Sequence, residues 1–492
     1  MPIRYIHNDS ASVPYLETVT AARKPRTGQR ARFDVNLPSE DVYGLGTSEF
    51  VDRQCYEAAL RTLEVWESVS APFRFWHNGQ RIIRLKQRRE TGFGASYDRV
   101  SIGFDFHPLN HPKIFVGASV DAVSHEIGHA ILDAIRPELW DSFFAEVAAF
   151  HEGFSDCISL LVALADDTIL SALFALSPQA AEVLTVSNNT SQVAESVAKY
   201  CKSLHGPQNA NSVPRRLRNK FQWAIPSILP ANPSPNRLSS EPHSFGQVFS
   251  GCFYDCINNI YLNNKILTKE GLLGAAKTAG GILTSAISSA PEEVRFFRSV
   301  GKTMIQADRD LNGGINHVQI SHAFNSHNVQ LGSAALLAAT ISLNGPAPTS
   351  SERVSRRLNA RTRNDLVKKI GMGQGTKVST SVIRVGNSSV VRAKVRQKID
   401  VGVKVSDGSA IILRAQTAQD VMLGEQHGQC VVLGDIPNNY TAEEEVNSFV
   451  QSLAENGEIF SITKDLPATH KIQKRGKQQI LRRVRFSCCH RN

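Results

Sequence analysis

His125, Glu126 and His129 stand in the order His-Glu-x-x-His, and Glu152 and Asp156 follow in the segment EVAAFHEGFSD. Two histidines four residues apart lie one turn apart on the same face of a helix. Their imidazoles can converge on one metal ion. Glu126, next to the first histidine, can reach a metal-bound water and act as general base. Glu152 can complete a His-His-Glu zinc site that leaves the fourth position for water. Asp156, one turn on, can accept the free N–H of a ligand histidine and fix its tautomer. The chemistry such a set supplies is metal-assisted hydrolysis.

The flanking residues predict how the set is held. Val120, Val123, Ile127, Ala130, Ile131 and Ala134 make the rest of the first helix apolar, so it should be buried. Buried histidines need partners, and one metal satisfies two at once. Residues 147–150 and 157–161 frame the second acidic pair in the same way and predict a second apolar helix. Upstream, residues 52–68 read as a helix with Tyr56, Leu60, Leu63 and Trp66 on one face. Residues 82–85, 92–97 and 100–104 read as extended. The connection 206–242, interrupted at 213–223, is long enough that it should be functional or border a cleft.

HEIGHAILD at 125–133, followed by HEGFSD at 151–156, resembles the zinc-binding core of the gluzincin metallopeptidases, the thermolysin-like group. HEGFSD is closest to the fungalysin branch, whose third-ligand segment typically reads GEGWSD. Two further segments resemble that branch. His243 precedes Gly246-Gln247-Val248-Phe249-Ser250, where the fungalysin pattern has a histidine ahead of a Gly-Glu-Val-Trp-Ala helix. Residues 306–316, with Ile320, Ala323 and Phe324, resemble the segment that closes the helical lobe. Together the matches span about residues 90–330. Asp310-x-Asn312-Gly313 lacks the downstream glutamate of a calcium loop and reads as structural.

The resemblance implies an α+β fold: a thermolysin-like two-lobed metallopeptidase with a mixed-sheet N-lobe and a helical C-lobe. It implies Zn2+ on His125, His129 and Glu152, with Glu126 as base and Asp156 behind a ligand histidine. It makes His243 a donor to the tetrahedral oxyanion. It makes Gly94 and Ala95 part of the edge segment that pairs with substrate backbone. One departure stands out. The family has a tyrosine shortly before the third ligand that also contacts the oxyanion, and Phe143 or Phe144 falls near that place here. The implied activity is zinc-dependent endopeptidase action on a peptide or protein substrate. The other reading is a non-catalytic zinc-binding scaffold with a gluzincin fold, against which the intact Glu126 argues.

The remaining sequence sets the organisation. A chain of 492 residues holds two or three domains, and 41% hydrophobic with 20% charged residues fits a soluble globular protein. Residues 1–45 read as a flexible lead-in, 46–345 as the peptidase domain with its N-lobe to about 150, 346–370 as a basic linker, and 371–492 as a β-rich module with a basic tail. Much of the net charge of +10 sits after residue 350. It reads as a solvated linker and tail, with nucleic acid as the acidic partner such charge could attract. The eight cysteines show no CxxC spacing, and a reducing compartment is expected. Cys488-Cys489-His490 can bind metal but reads as incidental. Without a secretory signal or an apolar run long enough to span a bilayer, the expectation is a cytoplasmic protein with no membrane partner, unlike secreted thermolysin and fungalysin.

Overall fold

The computed structural model describes residues 1–25, 31–107, 114–176, 192–206, 213–232, 236–264, 267–332, 336–346, 358–373, 375–404, 410–460 and 468–488. A hairpin of β1 (Pro2–Ile6) and β2 (Glu17–Ala21) begins it. Ile3 and Tyr5 of β1 are fully buried, and Gln54 brackets Ile6 through both its backbone N–H and C=O. The lead-in expected to be flexible is therefore packed over these residues, because alternate side chains of a polar-looking strand still supply one apolar face.

Three helices carry the centre. α1 (Ser48–Val69) is capped by Thr47, whose hydroxyl accepts from Phe50 N. α2 (Val120–Ile135) is capped by Ser119, which accepts from Ala122 N, and Asp121 sits in its first turn, where a carboxylate suits the positive helix end. α3 (Ala145–Leu164) buries all 20 of its residues. A helix apolar all round can only be a core helix or a membrane span. By length and composition α3 could cross a membrane, and it lies wholly inside the protein. The expectation that no segment is long enough for a span overlooked it because His151, Glu152 and Asp156 interrupt the apolar run.

One side of these helices is covered by a sheet of β3 (Arg32–Asp34), β4 (Ile82–Arg89), β5 (Ala95–Tyr97) and β6 (Ser101–Asp105). The other side is covered by helices: α4 (Asp167–Leu176), α5 (Glu195–His205), α6 (Pro242–Asn263), α7 (Lys269–Ile287), α8 (Phe296–Asn312) and α9 (His317–Ser326). A two-residue ladder joins β7 (Gln192–Val193) to β8 (Arg215–Arg216).

The rest is an eight-stranded sheet with two helices. β9 (Ala339–Pro346) leads to α10 (Ala360–Lys369), then β10 (Val378–Val385), β11 (Ser388–Lys404), β12 (Ala410–Gln426), β13 (Gln429–Leu433), α11 (Asn439–Glu455), β14 (Ile459–Phe460), β15 (His470–Arg475) and β16 (Gln478–Arg483). Part of the expected linker is α10, whose Leu366 is buried beside Leu343 together with Ile370 just past its end; residues 347–357 lie outside the described residues. β11 alternates along its whole length. Val391, Ala393 and Val395 build the module's own core, while Ile399, Val401 and Val403 enter the core shared with α3 and α6. The module is thus continuous with the helical body that precedes it. It is also tied down by ions: Lys394 to Glu292 at 2.7 Å, Arg295 to Glu445 at 2.7 Å and Arg298 to Asp435 at 2.8 Å.

Two features of the fold depart from the sequence expectation most sharply. After β16 the chain returns to the first sheet, where β17 (Phe486–Ser487) pairs antiparallel with β5 and gives the order β17-β5-β6-β4-β3. Cys201 in α5 is disulfide-bonded, whereas six of the other cysteines are free and buried. The architecture is α+β, with helices and several sheets in one connected body.

Candidate metal centre

α2 and α3 cross where Gly128 meets Ser155; a Cβ on Gly128 would fall 2.8 Å from Ser155 Cα. That close approach brings the inward faces of both helices together. His125 Nε2 lies 3.2 Å from Glu152 Oε2, and His129 Nε2 lies 3.5 Å from the same oxygen. One ligand atom from each of the three lies within 4.8 Å of the others, which makes them a group able to hold a metal ion. All three side chains are buried, and these nitrogens and this oxygen face one another and His243 Nε2, without a hydrogen bond of good geometry. Buried polar atoms left unpaired cost free energy unless something binds them. A convergent His-His-carboxylate set is the donor set of a catalytic zinc site, so the residues fit the metal that the sequence implied.

Asp156 stands behind the site. Its Oδ1 is 2.8 Å from His125 Nδ1, which leaves Nε2 facing the cluster. Arg215 on β8 donates to the same carboxylate from Nη2 at 2.8 Å and from Nε at 2.9 Å. Burial would raise the Asp156 carboxyl, but Arg215 and His125 hold it at about 2. Arg215 was not singled out in the sequence. The only signal for it was the unusual length of the 206–242 connection, which does border the cleft: a cavity of about 350 Å³ is lined by Arg215, Asn219, His243, Gln247 and Cys488.

His243 enters from the first turn of α6. Glu241 caps that helix, with Oε2 accepting from Ser244 N at 2.9 Å, and its other oxygen lies 2.6 Å from His243 Nδ1. The other ring nitrogen then points inward, with Nε2 3.1 Å from Glu152 Oε2. Burial would lower His243, but Glu152 and Glu241 raise it well above the usual imidazole value. Burial would raise Glu152, and His243 and His129 hold it well below the usual carboxylate range.

Phe143 and Phe144 are buried, and Phe143 packs toward His470 with ring centroids 5.7 Å apart. Neither offers a hydroxyl. Gly94 differs from its expected role. Asp105 takes its N–H through the side chain at 3.2 Å and donates its own N–H to the Gly94 carbonyl at 2.9 Å. Gly94, at φ 69°, shapes the turn into β5, and the outward-facing backbone starts at Ala95.

That outward edge is occupied. Cys488 N donates to Ala95 O at 3.0 Å, and β17 continues the pairing as Phe486 with Tyr97 and Ser487 with Ser96. Cys488 Sγ lies 2.8 Å from Glu126 Oε1. The sulfur, His125 and Glu126 form a second group able to hold a metal ion. The terminal cysteine read as incidental is inside the site. His151, fully buried beside the cluster with both ring nitrogens unpartnered, stacks on Phe486 at 4.3 Å; His129 stacks on it at 4.5 Å. No family model matches the chain, and no curated protein matches it.

Proposed function

We propose that the protein is a zinc-dependent endopeptidase with a thermolysin-like two-lobed peptidase domain and an additional β-rich module. The observation that carries this reading is the convergence of His125 Nε2, His129 Nε2 and Glu152 Oε2, all buried and turned toward one another, with Glu126 on the helix of the two histidines. His125, His129 and Glu152 hold the metal. A zinc ion bound there polarises a scissile carbonyl and acidifies a water.

The chain's own groups do the rest. Glu126 takes the proton from the attacking water and returns it to the leaving amine. Asp156, fixed by Arg215, keeps His125 in the tautomer that presents Nε2. His243, held cationic by Glu152 and Glu241, donates to negative charge developing on the carbonyl oxygen. The β5 edge at Ala95 accepts an extended peptide by backbone pairing, which needs no particular substrate side chain. A peptide or protein is the substrate class that this arrangement fits.

Metal analysis and a peptide-library digest test the reading. The full chain and its Cys488→Ala variant, which removes the thiol from the site, are compared with and without Glu126→Gln. One zinc per chain and cleavage by Cys488→Ala that Glu126→Gln abolishes are expected. Loss of zinc should follow Glu152→Ala and not Glu126→Gln. A Cys488→Ala chain that holds zinc yet cleaves nothing would falsify the peptidase reading.

A further inference from the structure

The chain carries a strand in the place where a substrate should lie. β17 adds antiparallel to the β5 edge, and Cys488 extends the pairing through its N–H to Ala95 O at 3.0 Å. This is how an extended peptide docks on a sheet edge. The strand is also anchored by its side chains. Phe486 stacks on His129 and His151 and meets Trp140 edge-on at 5.2 Å. The Arg483 guanidinium covers the other part of its ring at 4.4 Å, and Arg485 lies over Phe93 at 4.0 Å. Phe486, Ser487 and Cys488 are all nearly excluded from solvent.

Cys488 points into the cluster. Its sulfur reaches Glu126 at 2.8 Å and shares a metal-capable group with His125. Beside it, His125 Nε2 and His129 Nε2 converge on Glu152 Oε2 at 3.2 and 3.5 Å. Three protein donors leave one position for water in a catalytic zinc site, and a sulfur there excludes the water.

We propose that residues 486–488 are a built-in inhibitor of the site, a pseudosubstrate strand whose Cys488 sulfur is the fourth zinc ligand. This rests on the zinc-peptidase reading above and adds its regulation. Coordination forms one zinc–sulfur bond, and the thiol proton passes to the Glu126 carboxylate. Glu126 is thereby removed from service as a base while the strand fills the peptide groove. A tethered segment acts at millimolar effective concentration, so even an affinity of about 10 μM would keep the site closed about a hundredfold of the time over open. Release requires the sulfur–zinc bond to break, after which only the two-residue β17 ladder and the Phe486 stacking hold the strand on the β5 edge.

Cobalt substitution of the full chain tests the ligand without relying on turnover. The Co2+-loaded wild type should show a thiolate-to-cobalt charge-transfer absorption. Cys488→Ser should lose that band while keeping one cobalt, and its peptide hydrolysis should rise on the order of a hundredfold. Phe486→Ala, which leaves the thiol intact but weakens the strand, should raise hydrolysis in part. A wild type that holds one cobalt without the band overturns the proposal, and a chain that takes up no cobalt overturns both readings. If the band is present and lost in Cys488→Ser, yet no variant hydrolyses peptide, the sulfur ligand stands and the peptidase reading falls.

Discussion

Gly153 of α3 lies against Gly246 of α6 so closely that a Cβ on Gly153 would sit 2.6 Å from the Gly246 carbonyl oxygen. Each glycine is a near neighbour of a site residue: Glu152 precedes the first, and His243 is one turn before the second. The helix crossing therefore sets the 3.1 Å separation between Glu152 and His243.

Gly246→Ala should show this. Its Cβ would meet Ala149 O at 2.7 Å, Gly153 N at 3.0 Å and Glu152 Cβ at 3.1 Å. Alanine is the better helix former by about 1 kcal/mol. The obstructing atoms are largely backbone and cannot swing aside, so overpacking of about 1–3 kcal/mol should win. A lower denaturant midpoint is expected, with zinc retained and, in the Cys488→Ala background, turnover reduced because His243 moves off the cluster. An unchanged or higher midpoint would show that the helices part without cost.

Asp156→Ala should weaken zinc binding by about 10–100-fold, the usual cost of removing a carboxylate behind a ligand histidine. Arg215→Met should cost less, because Asp156 keeps its contact with His125 Nδ1 at 2.8 Å. Competition with a chelator of known affinity gives both values. Equal losses would mean that Arg215 acts on the metal site by some route other than positioning Asp156.

Much of this site could be read from residue spacing. HEIGH and HEGFSD lie in apolar helices, where a 3.6-residue period places side chains on one face, so His125, His129, Glu152 and Asp156 were all visible. Arg215 was not, because a two-residue strand inside a long connection has no period to read. Cys488 was hidden for a different reason: its partner Glu126 is 362 residues away, and the two residues of strand before it leave no pattern. The flexible reading of residues 1–45 missed the burial of Tyr5 and Ile3, because β1 packs against α1 and Tyr5 joins the main core, which local composition does not show.

His243→Ala, made in the Cys488→Ala background, should leave zinc content unchanged and lower kcat by about 10²–10³-fold, the loss seen when one oxyanion donor is removed. Glu241→Gln should lower kcat less, since it keeps a hydrogen-bonding partner for Nδ1 and loses only the charge that helps hold the ring cationic. Steady-state kinetics beside metal analysis separates the two effects. Loss of zinc in His243→Ala would make the histidine a metal ligand instead.

Acid should loosen the β-rich module through Glu138. This residue lies just after α2, where Arg136 donates to it at 2.7 Å and Arg392 of β11 approaches at 3.6 Å. Burial would raise its carboxyl, but Arg136 and Lys394 pull it from the ordinary 4.5 down to about 2. A depressed folded value means that the ion contributes stability above the unfolded pKa, and that this contribution drains as pH falls toward the folded one. The window is therefore from about 4.5 down to about 2, and the contribution is on the order of 3 kcal/mol. Glu292, across the same interface, works in the opposite sense: burial raises it, so its term changes above 4.5 and does not mask the acid limb. Denaturant midpoints measured from about pH 6 to about pH 2.5 should fall for the wild type. Glu138→Gln should start lower near neutrality and converge with the wild type at the acid end. Two parallel curves would mean that Glu138 is not the group that ties the module down.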